Sequence, residues 1–597
     1  MFWSRIKMLF RMVKYYYFVN PSLLILKETF KIGGAVSSLA RIFVLGLFID
    51  GTVEVLTNWN VFSLEDYFLT DSFQYLLLGL ILWCFTSIFT KMAEYFEVVL
   101  DGEFYFQADL EILDKISKTN LQEIEERRFQ DLMTYVPEYS TTRFAEAYNL
   151  LSTALVHFTT LLGSIIMLSR FLGAWSLLLV VFVLPEATIR LIRSDKISEY
   201  ADNSINKVKF MTYIKHISTR VQDFPELRVS GAFRHLKRLF YNKSRSYYSG
   251  YYEQNFHYYS DQTLFSVIDQ ILLTGFIIFI LAKCVVQGAT IGTFSALVNY
   301  ARDGYKAAFD CISNVFDSLS DLSYAQGFFD LLYYEGFGDV PGEEYKLKKG
   351  CPNLEFKNLS FVYPKTRERG LINVDFKIQP GDKVAFVGTA GSGKSSIVRI
   401  LCGLFKVNSG DYLIDGCPVK DLARGQLKSK ISVMPQDFVR YNLSLRKNIV
   451  IGDPRKNVDK LKYEKVKEIA LVDEFMKDLN ISDSQLLGKF FGTGKELAPA
   501  HWQKLAIARM LYRDKEIMIM DEPFTFIDGI SKSKIFEGII DFVGDKKILI
   551  YITQDTAHLD RFDKIFYFED GKVVEQGSWD SLMKKKGSFY RLVKYDS

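Results

Sequence analysis

Apolar positions follow two different patterns along the 597-residue chain. Up to about residue 330 they form long runs, near 34–56, 73–98, 147–170, 174–193, 263–286 and 289–312. Each is close to the roughly 20 apolar residues that a helix needs to cross a bilayer. About six spans are therefore expected, several continuing into polar, helix-compatible sequence that would carry the helices beyond the membrane. The remainder reads as a soluble α/β domain, with hydrophobic strands such as the one ending at Val387. The first residues, MFWSRIKMLFRMVKYYYF, have neither a clean apolar core nor a cleavage site. They predict an amphipathic helix at the membrane surface, with Arg5, Lys7, Arg11 and Lys14 towards the headgroups. The expected organisation is an N-terminal elbow over 1–30, a membrane domain over 31–330, a linker over 331–350 and a soluble domain over 351–597.

Charge sets an orientation for this arrangement. The loop from Gly51 to Ser72 contains no Lys or Arg, whereas the N-terminus and the segments 101–146 and 194–262 contain many. The positive-inside rule places the N-terminus, both long connections and the C-terminal half in the cytoplasm, with the links near Gly173 and Gln287 outside. The overall balance of +4 gives no independent case for nucleic acid. The six cysteines form no CxxC pair, so neither a disulfide framework nor a zinc site is suggested. Within the spans, Glu186 follows Pro185, and Asp269 and Asp303 occupy the fifth and sixth. Such groups are costly in a membrane; they either line a water-filled cavity or touch what passes through. The run SYYSGYYEQNFHYY lies in an expected cytoplasmic extension, where helix packing is the favoured role.

The strongest chemical signal is KVAFVGTAGSGKSSIVRIL, residues 383–401. A strand ends at Val387, a glycine loop follows, and a helix begins near Lys394. Gly388 through Ser395 fit the phosphate-loop pattern G-x-x-x-x-G-K-S. Glycines let successive N–H groups turn inward towards phosphate oxygens, and the helix N-terminus adds partial positive charge. Lys394 would reach the β- and γ-phosphates, and the Ser395 hydroxyl would bind Mg²⁺. Downstream, KEIMIMDEP ends a strand in Asp521, suited to Mg²⁺, and Glu522, suited to orient or deprotonate a water.

Together with Tyr363 in SFVYP, Gln436 in VMPQD, the stretch ELAPAHWQK and Asp528, these residues resemble the nucleotide-binding domain of ABC transporters. The membrane half is similar too, in span count, long cytoplasmic connections and the GATIGTFSALVNY opening of the last span. The resemblance covers nearly the whole chain and implies a type I exporter half-transporter. Its fold would be an α-helical membrane domain of about six transmembrane helices fused to an α/β P-loop NTPase domain. LGKFFGTGKEL followed by Trp-Gln-Lys is most similar to the peptide and bacteriocin exporter branch. With no peptidase domain ahead of the first span, leader-peptide cleavage is not implied. The resemblance implies ATP and Mg²⁺ as cofactors and the cytoplasmic membrane as the location. It implies an exported peptide or hydrophobic small molecule and no nucleic acid.

By the same resemblance, Gly388, Thr389, Ala390, Gly391, Ser392, Gly393, Lys394, Ser395 and Ser396 hold the phosphates, and Tyr363 stacks on adenine. Ser395, Gln436 and Asp521 bind Mg²⁺. Glu522, Gln436 and Gln554 act on the attacking water, and Asp528 lies in the loop that crosses a head-to-tail dimer. Leu497, Ala498, Pro499, Ala500 and His501 stand where the family carries the L-S-G-G-Q signature that faces the opposite chain's ATP. Ala498 lacks the hydroxyl, Pro499 lacks an N–H and fixes φ, and Ala500 adds a Cβ. Gln554 replaces a histidine and cannot become an imidazolium. A preorganised donor of this kind is worth about 10²–10³ in rate, so an impaired signature is expected, with His501 a compensating donor. Two arrangements follow: a heterodimer with a second half-transporter and asymmetric ATP sites, which is favoured, or a slow homodimer. A poorly hydrolysing ATP-binding partner subunit is the alternative.

Overall fold

The computed structural model describes residues 2–57, 67–136, 140–220, 223–334, 347, 349–363, 369–422, 425–454 and 457–596. Most of the expected 331–350 linker, and residues 58–66 of the first loop, lie outside the described residues. The chain divides into two compact units, Met1–Lys118 with Asp131–Tyr334, and Thr119–Gln130 with Glu335–Ser597. Residues 119–130 thus cluster with the C-terminal unit although they fall inside the expected membrane domain.

The first unit is helical: α1 (Phe2–Val19), α2 (Pro21–Thr57) and α3 (Asp71–Lys118), then, beyond the short α4 (Leu121–Ile124) of the other unit, α5 (Arg127–Tyr135), α6 (Thr141–Leu172), α7 (Leu178–Asn203), α8 (Ile205–Thr219), α9 (Phe224–Val229), α10 (Ala232–Gln287) and α11 (Ile291–Leu332). At 48 and 56 residues, α3 and α10 are about 70–85 Å long at 1.5 Å per residue. Both exceed the roughly 30 Å hydrocarbon core. Among the described residues four stretches are long and apolar enough to cross a membrane: Pro21–Thr57, Asp71–Lys118, Thr141–Arg190 and Ala232–Gln287. The third holds two of the expected spans, divided into α6 and α7 at Gly173, whose φ is 59°. The stretch expected as a sixth span is helical, as α11, but not apolar enough to qualify alone. Arg302, Asp303 and Lys306 interrupt its apolar run.

Aromatic and polar contacts fasten these helices. Tyr16 of α1 is fully buried, stacked on Tyr148 at 4.0 Å and Phe104 at 4.9 Å, and its hydroxyl donates to Asp101 at 3.1 Å. Lys27 is also fully buried, donating to Asn149 at 2.7 Å and pairing with Glu97 at 3.3 Å. A buried ammonium is tolerated only with such partners. Where α2 crosses α11, Asp50 accepts from the Gly292 N–H at 2.7 Å and the Thr290 hydroxyl at 2.6 Å. The backbones touch so closely that a Cβ on Gly292 would lie 2.0 Å from the Gly46 carbonyl oxygen. Small residues allow this approach between membrane helices.

The second unit contains a sheet of β1 (Leu354–Val362), β2 (Arg369–Ile378), β4 and β5, and a larger one built around β3 (Lys383–Gly388). After β3 come α12 (Lys394–Leu401), β4 (Ser409–Ile414), β5 (Cys417–Pro418), α13 (Gln426–Lys430) and β6 (Ile431–Met434). The helical segment α14 (Leu445–Val450), α15 (Lys460–Ile469), α16 (Val472–Asp478) and α17 (Pro499–Arg513) follows. The chain ends with β7 (Ile517–Asp521), α18 (Gly529–Val543), β8 (Ile548–Thr553), β9 (Lys564–Glu569), β10 (Lys572–Gly577), α19 (Trp579–Lys585) and α20 (Ser588–Asp596). The larger sheet runs β10-β9-β3-β8-β7-β6, parallel except where β10 pairs with β9. β7 and β8 are buried throughout, which is why IMIMD and ILIYIT read as unbroken apolar runs. Parallel strands put their C-terminal ends, at Gly388, Asp521 and Thr553, on one edge of the sheet, where such folds bind ligands.

Gly292→Ala forces overpacking at the α2–α11 crossing, a change that costs about 1–3 kcal/mol in well-packed cores. Thermal unfolding of the purified protein in lipid nanodiscs should show a lowered midpoint, with no comparable change for Gly275→Ala, whose Cβ meets nothing within 4 Å.

Candidate active site

The phosphate loop leaves the buried strand β3 and enters α12. Gly391 and Gly393 have φ of 80° and 103°, and a Cβ on Gly393 would lie 2.8 Å from the Gly370 carbonyl oxygen, so the turn requires glycine there. Lys394 is buried, and its ammonium donates to the carbonyls of Gly388 and Thr389, both at 2.7 Å, and to Ser392 Oγ at 3.3 Å. The cation therefore sits inside the loop's own ring of oxygens. Burial pulls its pKa down, against the opposing pull of Glu522 and Asp521.

Ser395, Gln436 and Asp521 line one cavity of about 510 Å³, together with Arg399, Asp437 and Arg509. Asp521, at the end of β7, has its pKa pushed up to about 6, first by burial and then by the neighbouring Glu522, with Lys394 and Arg399 opposing. A hydroxyl, an amide and a crowded carboxylate around one cavity are hard oxygen donors, the set that suits Mg²⁺.

Glu522 follows β7 in a left-handed conformation, φ 47°. Its N–H donates to the Ile552 carbonyl at 2.9 Å. The carboxylate is held on both sides: Gln436 Nε2 donates to Oε2 at 3.0 Å, and Gln554 Nε2 donates to Oε1 at 2.5 Å. Two neutral amides thus fix an acceptor carboxylate and take no proton from it. A further residue, which the sequence reading passed over, completes the arrangement. Gln503 of α17 is buried; its amide donates to the Glu522 carbonyl at 3.2 Å and accepts from the Phe526 N–H at 2.8 Å. One side chain therefore ties the signature helix to the turn carrying Glu522. The Trp-Gln-Lys run is part of the resemblance, but nothing in a sequence shows a glutamine aimed at a backbone 19 residues away.

The remaining candidates lie apart from this carboxylate. Tyr363 turns its hydroxyl to Ser396 Oγ at 2.8 Å, with its ring edge-on to Phe361 at 4.9 Å. Asp528 caps α18, accepting from the Ser531 N–H at 2.9 Å, and that backbone bond holds its carboxyl below its ordinary pKa. Phe524 beside it is buried, whereas Phe526 is exposed. In the signature stretch Leu497 is buried, Ala498 stands at the N-cap of α17 with no side chain able to cap it, and Pro499 is the first helical residue. Proline suits that position because the missing N–H would be unpaired anyway. His501 does not reach outward: its ring stacks on Phe475 at 4.5 Å, and Nδ1 is buried without a hydrogen-bond partner among the described residues. Burial, reinforced by Lys504, lowers its pKa and favours the neutral ring.

A parallel-sheet NTPase with this loop, carboxylate pair and helical segment is an ATP-hydrolysing domain, here joined to a membrane-embedded helical unit. Residues 371–525 match the family model described as ABC transporter. The subtilin transport ATP-binding protein SpaT of Bacillus subtilis is 25% identical over 519 residues, covering 84% of this chain and 81% of that protein. The nisin transport ATP-binding protein NisT of Lactococcus lactis subsp. lactis is 24% identical over 511 residues, covering 84% and 83%. The structure of a bacterial Atm1-family ABC exporter with ATP bound matches 97% of this chain and 99% of its own with a TM-score of 0.77, at 18% identity. Residues 371–525 are thus an ABC transporter domain that hydrolyses ATP, and the chain as a whole has the type I exporter fold, with helices long and apolar enough to make it a multi-pass membrane protein.

Gln503→Ala leaves the Glu522 carbonyl and the Phe526 N–H without their partner, and unpaired buried backbone groups cost about 1–3 kcal/mol each. ATP turnover by the assembly purified from membranes should fall by at least about tenfold while the affinity for a fluorescent ATP analogue stays within about twofold.

Proposed function

We propose that this chain is one half of a heterodimeric exporter in the cytoplasmic membrane, with the N-terminus and ATPase domain in the cytoplasm. It moves a peptide or hydrophobic small molecule outward. Its phosphate loop and Glu522 work on an ATP completed by the partner's signature helix, and its own altered signature serves the partner's ATP poorly. The observation that carries this reading is a contrast within one domain. The Glu522 carboxylate is gripped by two amides beside a buried phosphate-loop lysine, whereas the signature helix begins at Ala498-Pro499 with His501 folded onto Phe475. Peptide export draws support from the relatives named for transport of subtilin and nisin.

In this reading Lys394 exchanges the carbonyls of Gly388 and Thr389 for phosphate oxygens. Ser395, Gln436 and Asp521 would hold Mg²⁺, which would supply positive charge to the phosphates. Glu522 orients the attacking water and accepts its proton, and Gln436 and Gln554 fix the direction of that acceptor. Gln554 can donate a hydrogen bond but carries no proton through the cycle. Tyr363 exchanges its bond to Ser396 for a stacked adenine. On the opposite site, Ala498 and Pro499 offer neither the hydroxyl nor the N–H that would meet a γ-phosphate.

The purified chain alone should therefore turn over ATP near background. Restoring the signature by Ala498→Ser, Pro499→Gly, Ala500→Gly and His501→Gln should raise that rate at least about 10²-fold, the value of one preorganised donor. Glu522→Gln should remove the gain while leaving ATP binding intact. Clear ATPase activity from the unmodified chain alone, lost in Glu522→Gln, contradicts the heterodimer.

A further inference from the structure

Where α7, α10 and α11 meet in the membrane unit, two carboxyls are buried, and among the described residues neither is in an ion pair. Glu186 is 5% exposed and Asp269 is 0% exposed. The two carboxyls are within hydrogen-bonding reach of one another, Gln262 bonds to Glu186, and Arg190 acts on Glu186 through space. The Tyr305 hydroxyl donates to Asp269 Oδ2 at 3.1 Å. Asp269 Oδ1 is buried and has no hydrogen-bond partner among the described residues. Arg190, one turn beyond Glu186, is committed elsewhere: it donates to Ser313 at 2.7 Å and to Asp317 at 2.9 Å. Val183, Ala187 and Ala308, packed with Leu161, Phe309 and Ile312, form an apolar wall alongside.

Two carboxyls in contact away from water cannot both stay ionised, so the pair holds either a shared proton or a cation. Such a pair is expensive inside a membrane and has no packing value that a leucine would not supply. An orphaned acceptor beside an apolar wall is, by contrast, a good receptor for a cation on an apolar carrier. An ammonium brings three donors and a guanidinium five, enough to satisfy Asp269 Oδ1 and Glu186 together through charge-assisted bonds. We propose that the Glu186–Asp269 pair receives a primary ammonium or guanidinium group of the exported peptide. This rests on the peptide-export reading above and adds the charge of the substrate to it.

The test uses the full-length assembly purified from membranes into lipid nanodiscs, and two dansyl-labelled decapeptides of leucine and alanine. One carries a single lysine; the other has norleucine in its place. Fluorescence anisotropy should show the lysine peptide binding at least about tenfold tighter, equal to about 1.4 kcal/mol. Glu186→Gln with Asp269→Asn should bring the two affinities within about twofold, and the charge-keeping Glu186→Asp should retain most of the preference. Unchanged ATP binding in each variant checks that it folds. The proposal is overturned if the wild type does not distinguish the peptides, or if the preference survives in the Gln/Asn variant. Choline chloride and NaCl buffers are compared, because loss of the preference in Na⁺ alone would assign the pair to the inorganic ion and overturn the proposal. Binding of the norleucine peptide without a lysine preference leaves peptide export standing and removes only the charge. Binding of neither peptide removes both.

Discussion

The Glu522 carboxylate can act on a water only if it points in one direction, and most of the ATPase unit contributes to fixing that direction. The residue sits just beyond a strand buried along its whole length, in a left-handed conformation that a single backbone bond to Ile552 helps to hold. Gln436 and Gln554 approach its two oxygens from different strand ends. Gln503 secures its carbonyl from the signature helix. A left-handed glutamate costs free energy by itself, so it persists only because these contacts over-determine it. The parallel sheet, the helical segment and the loop after β6 are thus joined at one side chain.

The same arrangement gives a physical meaning to Gln554, which stands where the resemblance expects a histidine. A histidine in this position could exchange a proton, whereas the amide offers a fixed donor. What survives is positioning. Burial, and then the neighbouring Glu522, push the Asp521 pKa up to about 6, and a divalent cation would offset both. The half-site on this chain therefore keeps its acceptor, its phosphate lysine and its oxygen donors. The helix start that the resemblance assigns to the signature carries Ala498 without a hydroxyl, and the His501 ring lies against Phe475.

Much of this was readable in the order of residues, and the exceptions have identifiable causes. The phosphate loop and the Asp521-Glu522 strand end were legible because local rules govern them: glycine where φ is positive, and an apolar run where a strand is buried. The membrane helices are legible by length, α11 included, although Arg302, Asp303 and Lys306 interrupt its apolar run. Gln503 was not legible as a clamp, because its partners are backbone atoms brought near by tertiary packing. The resting position of Tyr363 was equally hidden, since its hydroxyl bond to Ser396 depends on how β1 meets α12.

The central claim is that catalysis belongs to the phosphate loop of this chain and that its signature fails the opposite site. Vanadate trapping with a photoreactive azido-ATP in the assembly purified from membranes tests it directly, since the trapped nucleotide marks the chain whose phosphate loop has turned over. Label should appear on this chain, be lost in Glu522→Gln, and be slight on its partner. Equal labelling of both chains, or label confined to the partner, would contradict it.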